Sequence, residues 1–162
     1  MKVLGIDPGV ARLGYGVVEE LNGKLICHEY GCITTPVGSE QADRLAHIFS
    51  AIEKLIVSHE PQALALEDLF YFKNQKTIVR VGEARGVVLL AGARAQLVIC
   101  PYTPLQIKQA VTGYGQAEKL QVQKMVQRLL GLPSLPSPDD AADGLAVAIC
   151  CVHGWNIRTQ KK

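Results

Sequence analysis

Residues 2–9 are Lys2-Val3-Leu4-Gly5-Ile6-Asp7-Pro8-Gly9, a short apolar run that ends in an acid and a turn. This pattern predicts a buried β-strand over residues 2–7. A second run of the same kind, Ala63-Leu64-Ala65-Leu66-Glu67, predicts another buried strand that ends in an acid. Ligands of open α/β sheets bind at the carboxyl ends of the strands. Asp7 and Glu67 are therefore the first candidate site residues.

The remaining patterns predict a mixed sheet with helices on both faces. Residues 14–20 and 24–34, joined through the turn pair Asn22-Gly23, predict a β-hairpin, and residues 97–100 predict a fifth strand. Apolar residues at the helical period predict helices over residues 41–58, 74–95, 117–130 and 138–153, with a short helix from Pro104. Without the short helix from Pro104, the order is β-β-β-α-β-α-β-α-α, which predicts an α/β fold built on a five-stranded sheet.

Length and composition favour one well-packed domain. The chain has 162 residues, of which 48% are hydrophobic and 20% charged, a balance that excludes a disordered protein. We expect a single domain over residues 1–154 and a flexible tail over residues 155–162. The acid inside the first apolar run argues against a signal peptide, and no run reaches membrane-spanning length, so we expect a cytoplasmic protein. Five cysteines without a C-x-x-C pair predict neither a disulfide framework nor a zinc ribbon.

The last predicted helix opens with three acids, in the run Ser137-Pro138-Asp139-Asp140-Ala141-Ala142-Asp143. Asp140 and Asp143 share a helix face, but so do Asp139 and Asp143, and spacing does not choose between the two pairs. Capping offers a structural explanation for Asp140, with Ser137 as the N-cap residue. Capping does not explain Asp143, which lies beyond the first turn.

Several carboxylates at one place repel each other unless cations lie between them. Carboxylates are hard oxygen ligands that suit Mg²⁺, and two such ions can clamp the attacking and leaving oxygens of a phosphodiester. Other interpretations stay open for two of the acids. Asp7 before Pro8-Gly9 could be a turn residue, and Glu67 has the neighbour Asp68, which faces the opposite side of the strand.

Six ordered blocks of the sequence resemble the RuvC family of crossover-junction endodeoxyribonucleases, over nearly the whole chain. The blocks are Gly5-Ile6-Asp7-Pro8-Gly9 with Gly14-Tyr15-Gly16-Val17; Glu67 with Phe70 and Lys73-Asn74; Gly82-Glu83-Ala84-Arg85-Gly86; Gln106-Ile107-Lys108-Gln109; Ala117-Glu118-Lys119; and Asp140-Ala141-Ala142-Asp143-Gly144-Leu145-Ala146. Any one block is weak, but all six in order make a specific match.

The resemblance implies an RNase H-like fold and a homodimer that resolves four-way (Holliday) junctions by paired symmetric incisions. It implies that the products are nicks with 5′-phosphate and 3′-hydroxyl ends. It also implies two Mg²⁺ ions per subunit, which Mn²⁺ could replace, held by Asp7, Glu67, Asp140 and Asp143. Asp68 and Asp139 are then bystanders. The branch-migration proteins RuvA and RuvB are the partners that the resemblance suggests.

Further residues are assigned to DNA by the same resemblance. Lys108 and Lys119 match lysines near the scissile phosphate, and we count Lys119 among the catalytic residues. Phe70, in the run Phe70-Tyr71-Phe72, matches the residue that stacks on an unpaired base. Apart from the resemblance, the basic residues Lys73, Lys76, Arg80 and Arg85 run from this segment into the next predicted helix, and we expect them to form a basic track for phosphates. The alternatives are core packing for the aromatics and solvated surfaces for the basic residues.

Two other functions fit part of the pattern. An RNase H-like nuclease acting on RNA–DNA hybrids would use the same acids but would need neither Phe70 nor a dimer. A nucleotide-binding module of the actin type also begins with a strand that runs into an acid and a glycine, although such proteins usually need two lobes. A junction-binding protein without catalysis is a third alternative.

Gly82 and Gly86 on the second predicted helix allow close helix packing, either on the sheet or across a dimer interface.

Overall fold

A computed structural model of the chain describes residues 1–68 and 75–159. The strands are β1 (Lys2–Asp7), β2 (Arg12–Leu21), β3 (Lys24–Thr34), β4 (Ala63–Glu67) and β5 (Val98–Tyr102). The helices are α1 (Gln41–His59), α2 (Gln75–Arg94), α3 (Pro104–Thr112), α4 (Lys119–Leu130) and α5 (Asp139–Thr159). The predicted element order is confirmed.

The five strands form one mixed sheet in the order β3-β2-β1-β4-β5. The pairs β1–β2 and β2–β3 are antiparallel, whereas β1–β4 and β4–β5 are parallel. In the central parallel pair Ile6 lies opposite Leu66. The next residues along these strands, Asp7 and Glu67, therefore end at the same edge of the sheet, as the two acid-terminated runs predicted.

Helices cover both faces of the sheet, which confirms the predicted layers. On one face Leu4, Ile6 and Leu66 pack with buried residues of α1 and α2, such as Ile48 and Val88. On the other face the alternate strand residues pack with α3, α4 and α5. Because successive strand residues point to opposite faces, a continuous apolar strand supplies both cores.

Helix α5 packs closely against β1 and β2, which form an antiparallel hairpin, because glycines occupy the contact. A Cβ atom on Gly144 would lie 2.5 Å from the Cα of Tyr15, and one on Gly5 would clash with the carbonyl oxygen of Gly144. A Cβ on Gly14 would likewise clash with the backbone of Asp140. This close approach brings the first two turns of α5 next to the end of β1.

Several element ends differ from the predictions for identifiable reasons. β5 continues through Pro101, which an edge strand tolerates because it needs no ladder donor there. α4 begins at Lys119 rather than at residue 117, because Glu118 and Gln121 form a capping box. The predicted boundary between helix and tail at residue 154 is wrong, since α5 continues to Thr159 and Trp155 packs against the core. None of the described helices is long and apolar enough to cross a membrane.

The tight contact between α5 and the hairpin can be tested with one methyl group. Gly144→Ala should lower the free energy of unfolding by about 1–3 kcal/mol or more, because the new Cβ meets backbone that cannot move aside. Gly154→Ala, on the same helix, is the matched control, since its Cβ would lie 3.3 Å from the hydroxyl oxygen of the Tyr102 side chain. Urea denaturation should show a loss in the first variant that clearly exceeds that in the second. Equal losses would contradict the packing described here.

Candidate active site

Carboxylates from three parts of the chain meet where the parallel strands β1 and β4 end. Asp7 ends β1, and Asp140 and Asp143 lie in the first two turns of α5. One carboxylate oxygen from each of these three residues lies within 4.8 Å of the others. Glu67, at the end of β4, is not in that tight group but lines the same cleft of about 280 Å³ with Asp7 and Asp143.

The structure thus brings together all four acids that the sequence singled out, and it separates Asp140 from its neighbour. Asp140 joins the tight group, whereas Asp139 does not. Helix α5 begins at Asp139, so Ser137 lies outside the N-cap position that would have given Asp140 a purely structural role. Helix spacing alone could not make this distinction, because Asp139 and Asp140 are each in register with Asp143.

Burial and mutual repulsion disfavour the ionised forms of these acids. Burial, followed by the charges of Glu67, Asp143 and Asp140, raises the pKa of Asp7 to about 8. Burial and the Asp143 charge raise the pKa of Glu67 to about 7. The pKa of Asp143 is also raised, chiefly by burial, although its hydrogen bond with Lys119 opposes the shift. At neutral pH Asp7 is therefore mostly protonated and Glu67 partly so, and ionisation of all the acids together needs a compensating positive charge.

Two lysines predicted from the sequence lie beside the acids. Lys119, the first residue of α4, places its Nζ 2.9 Å from Asp143 Oδ2 and 2.8 Å from Asp139 Oδ2. Lys108, on α3, lines the same cleft, and its charge partly offsets the raised pKa of Glu67. Both side chains are in place to compensate negative charge at the acids.

Arg12 is a site residue that the sequence analysis missed. Its Nη2 lies 2.5 Å from Asp140 Oδ2 and 3.4 Å from Asp139 Oδ1. Asp139 therefore links Arg12 to Lys119 and is more than a bystander in the charge balance. The sequence gives no signal for this contact, because Arg12 precedes the strand predicted over residues 14–20, whereas in the structure β2 begins at Arg12 and pairs Gly14 with Asp7.

The ligand atoms that the acids offer are of the type that a divalent cation prefers. All candidate ligands are carboxylate oxygens, the donors that Mg²⁺ and similar hard cations prefer. Asp140 Oδ2 is buried and accepts no hydrogen bond of good geometry from the described part of the chain, although Arg12 is near. A bound cation would give the buried oxygen a partner. It would also stabilise the ionised forms of the carboxyls whose pKa values are raised.

The predicted DNA-binding residues separate into different environments. Phe70 and Lys73 lie outside the described residues, and Lys76 is described only as part of the first turn of α2. Arg80 is exposed on α2 and lines a second cleft with Arg44. Arg85, further along α2, is mostly buried, and its Nη2 lies 2.5 Å from Asp68 Oδ1. The predicted basic track is therefore not uniform along α2.

The fold and the acids together define a class of protein. A mixed five-stranded sheet with an antiparallel hairpin, parallel strands and acids at the ends of β1, β4 and the start of α5 is the RNase H-like arrangement of nucleases. The family model for crossover junction endodeoxyribonuclease RuvC matches residues 3–151. The chain belongs to the RuvC family.

Relatives across bacteria support this placement over the whole length of the chain. The chain is 52% identical to the crossover junction endodeoxyribonuclease RuvC of Caldanaerobacter subterraneus subsp. tengcongensis over 157 residues, which cover 97% of this chain and 95% of the relative. The RuvC of Moorella thermoacetica is 53% identical over 150 residues, covering 93% and 90%. The structure of Thermus thermophilus RuvC in complex with a Holliday junction substrate has a TM-score of 0.93 and 33% identity, covering 98% and 97% of the two chains.

The charge balance of the site predicts the behaviour of Asp7→Asn. The folded protein raises the Asp7 pKa from 3.8 to about 8, so between these values the folded state binds more protons and stability falls as pH rises. At pH 8 the substitution should raise the Tm of the metal-free protein by several degrees, at about 2–4 °C per kcal/mol. Near pH 4 the gain should be small.

Scanning calorimetry with EDTA at both pH values measures this difference. Added Mg²⁺ should stabilise the unsubstituted protein more than Asp7→Asn, because one ligand is lost. A variant that is no more stable than the parent at pH 8 would show that neither burial nor the neighbouring acids penalise the Asp7 carboxylate.

Proposed function

We propose that this protein is a structure-selective DNA endonuclease that resolves four-way junctions in recombination and repair. The observation that carries the proposal is a cleft lined by Asp7, Glu67, Asp143 and Lys119, with the Asp140 carboxylate grouped beside Asp7 and Asp143, in a chain of the RuvC family. A relative with the same fold is described in complex with a Holliday junction substrate. We further propose that the chain acts as one nuclease domain, with α5 included as far as Thr159, in the cytoplasm.

The four acids would hold two Mg²⁺ ions per subunit, for which Mn²⁺ should substitute. Such ions, when bound, polarise the phosphate and make water a nucleophile at neutral pH. The acids keep those ions at a fixed place at the end of the sheet. Cleavage should leave 5′-phosphate and 3′-hydroxyl ends, nicks that a ligase can seal.

The lysines act on the phosphate rather than on the ions. Lys119 Nζ lies 2.9 Å from Asp143 Oδ2, so its ammonium group is in place to stabilise the negative charge that develops on the scissile phosphate. Lys108, which lines the same cleft, screens the charge of Glu67 and of the approaching DNA backbone. Loss of either lysine should therefore slow cleavage.

DNA outside the cleft would be held by aromatic and basic residues. Phe70 would stack on an unpaired base at the crossover, and Lys73, Lys76 and Arg80 would contact phosphates of the arms. The exposure of Arg80 on α2 supports its part in this surface. The run of basic residues also predicted Arg85 in this surface, but its ion pair with Asp68 favours a different role.

A homodimer would supply the two sites that a two-fold symmetric junction requires. The outer face of α2 suits such an interface, since Val79 and Leu90 are 60% and 54% exposed. Between them Gly86 has no atom within 4 Å of the place where its Cβ would be, so another helix could approach closely. These three residues share one helix face. RuvA and RuvB remain the proposed partners in branch migration.

Substrate choice and metal dependence test the proposed activity together. With Mg²⁺ the protein should cut a mobile four-way junction far faster than linear duplex or an RNA–DNA hybrid, and EDTA should abolish cutting. Glu67→Gln should bind the junction with unchanged affinity yet cut at least about 100-fold more slowly, since it loses a metal ligand. Gel assays of binding and cleavage measure both. Preference for the hybrid would instead support the RNase H alternative.

The dimer can be tested by placing a charge on the outer face of α2. Leu90→Glu should yield a monomer in sedimentation experiments, because a carboxylate is costly in an apolar interface. Its products on a junction should be single nicks rather than paired incisions. Val57→Glu on α1 is the matched control, because Val57 is 77% exposed and should leave the dimer intact. A dimeric Leu90→Glu protein would place the interface elsewhere.

A further inference from the structure

The residue that follows Glu67 is tied to two other elements of the fold. The backbone N–H of Asp68 donates to the carbonyl oxygen of Tyr102 at the end of β5, at 2.8 Å. The side chain of Asp68 accepts a hydrogen bond from Arg85 on α2, with Nη2 and Oδ1 2.5 Å apart. The end of β4 is therefore held from one side by β5 and from another by α2.

This attachment bears on Glu67 through the backbone. Glu67 is the last residue of β4 and pairs with Tyr102 in the register of β5. Within residues 1–68 and 75–159 no strand pair of β4 follows Glu67, so the backbone at 67–68 depends on the contacts of Asp68. The position of the Glu67 carboxylate relative to Asp7 and Asp143 depends in turn on that backbone.

The environment of Arg85 favours a structural partner over a DNA phosphate. The side chains of Arg85 and Asp68 are only 23% and 31% exposed. Arg85 Nε is buried and makes no hydrogen bond within the described ranges, so the guanidinium presents little of itself to solvent. Arg80, five residues earlier on α2, is exposed by contrast. A phosphate-contacting residue is expected to resemble Arg80 rather than Arg85.

We propose that Arg85 and Asp68 form a positioning pair that holds Glu67 in the geometry needed for cleavage. The inference rests on the proposed nuclease function and replaces the assignment of Arg85 to the phosphate track. The pair also connects α2, whose outer face is the proposed dimer interface, to an acid of the site. Arg85 is a positioning residue in this account, because it acts through Asp68 and Glu67 and touches no reacting group.

The two possible roles of Arg85 predict opposite effects of Asp68→Asn. If Arg85 served the DNA, neutralising its partner would free the guanidinium, and junction binding would tighten while cleavage continued. If the pair positions Glu67, binding stays unchanged and cleavage slows. A misplacement of about 1 Å at a reacting group can cost up to about 100-fold in rate. We expect cleavage to be ~10–100-fold slower in Asp68→Asn and in Arg85→Gln.

The experiment compares Asp68→Asn, Arg85→Gln and the double variant in the full-length protein. Junction affinity is measured in EDTA, and single-turnover cleavage is measured across a Mg²⁺ titration. Both single variants should keep the affinity within about twofold and need more Mg²⁺, and the double variant should be no slower than either one. Asp43→Asn is the matched control, because it removes an exposed carboxylate from α1, a helix that neither lines the cleft of the acids nor belongs to the proposed dimer interface. It should cut normally.

A direct readout of the site accompanies the activity assays. Mn²⁺ binding without DNA, followed by electron paramagnetic resonance, should weaken in Asp68→Asn and recover in part in Asp68→Glu, which keeps the charge. The conservative variant also keeps the test valid if Asp68→Asn fails to fold, as its melting curve would show. Slower cleavage with recovery by glutamate supports the positioning pair.

Other outcomes overturn the inference or the function separately. Weaker binding in Arg85→Gln, together with normal cleavage and Mn²⁺ affinity in Asp68→Asn, would return Arg85 to the DNA surface and end the inference. If the unsubstituted protein cuts no junction in Mg²⁺, the proposed function itself fails, whatever the variants do.

Discussion

The rest of the structure is arranged around several carboxylates that the fold brings together at one end of its sheet, although these groups repel one another. Three oxygens from Asp7, Asp140 and Asp143 lie within 4.8 Å, and burial raises the pKa of Asp7 to about 8. A fold selected for stability alone would avoid such a cluster, because each ionised group raises the cost of ionising the next. The arrangement becomes favourable when cations that neutralise the carboxylates, and a phosphate, are bound.

The rest of the architecture serves this convergence. The parallel pairing of β1 with β4 brings two acid-terminated strands to the same edge, and glycine contacts let α5 approach the hairpin closely enough to add two more acids. Around the cluster, Arg12 and Lys119 lie on either side of Asp139 and neutralise part of the charge. Because these ion pairs are half exposed to solvent, they are weak and can give way to stronger ligands.

Much of the fold and most of the acids were predictable from the sequence, because they depend on local patterns. Apolar runs that end in Asp7 and Glu67 predict strands and their ends without knowledge of the rest of the chain. The choice of Asp140 over Asp139 was not predictable from helix spacing, since it depends on how α5 rotates against β1. The continuation of α5 past Gly154 depends on the packing of Trp155 against the core, which no hydrophobic periodicity in the sequence predicts.

Ion pairs between distant elements were the hardest to predict. Arg12 reaches Asp140 across 128 positions of sequence, and the Asp68–Arg85 pair joins a strand end to a helix face. A sequence shows the charge of Arg85 but not the partner that neutralises it, so a basic residue on a helix was read as a DNA contact. Only the three-dimensional arrangement distinguishes a paired arginine from an exposed one such as Arg80.

Anomalous diffraction from a crystal soaked in Mn²⁺ shows whether the acid cluster holds divalent cations. We expect strong anomalous peaks in the cleft, in contact with Asp7, Asp140 and Asp143 and within reach of Glu67, with Lys119 displaced from Asp143. A fully soaked crystal with no peak among these carboxylates, and with Lys119 still paired to Asp143, would contradict this expectation.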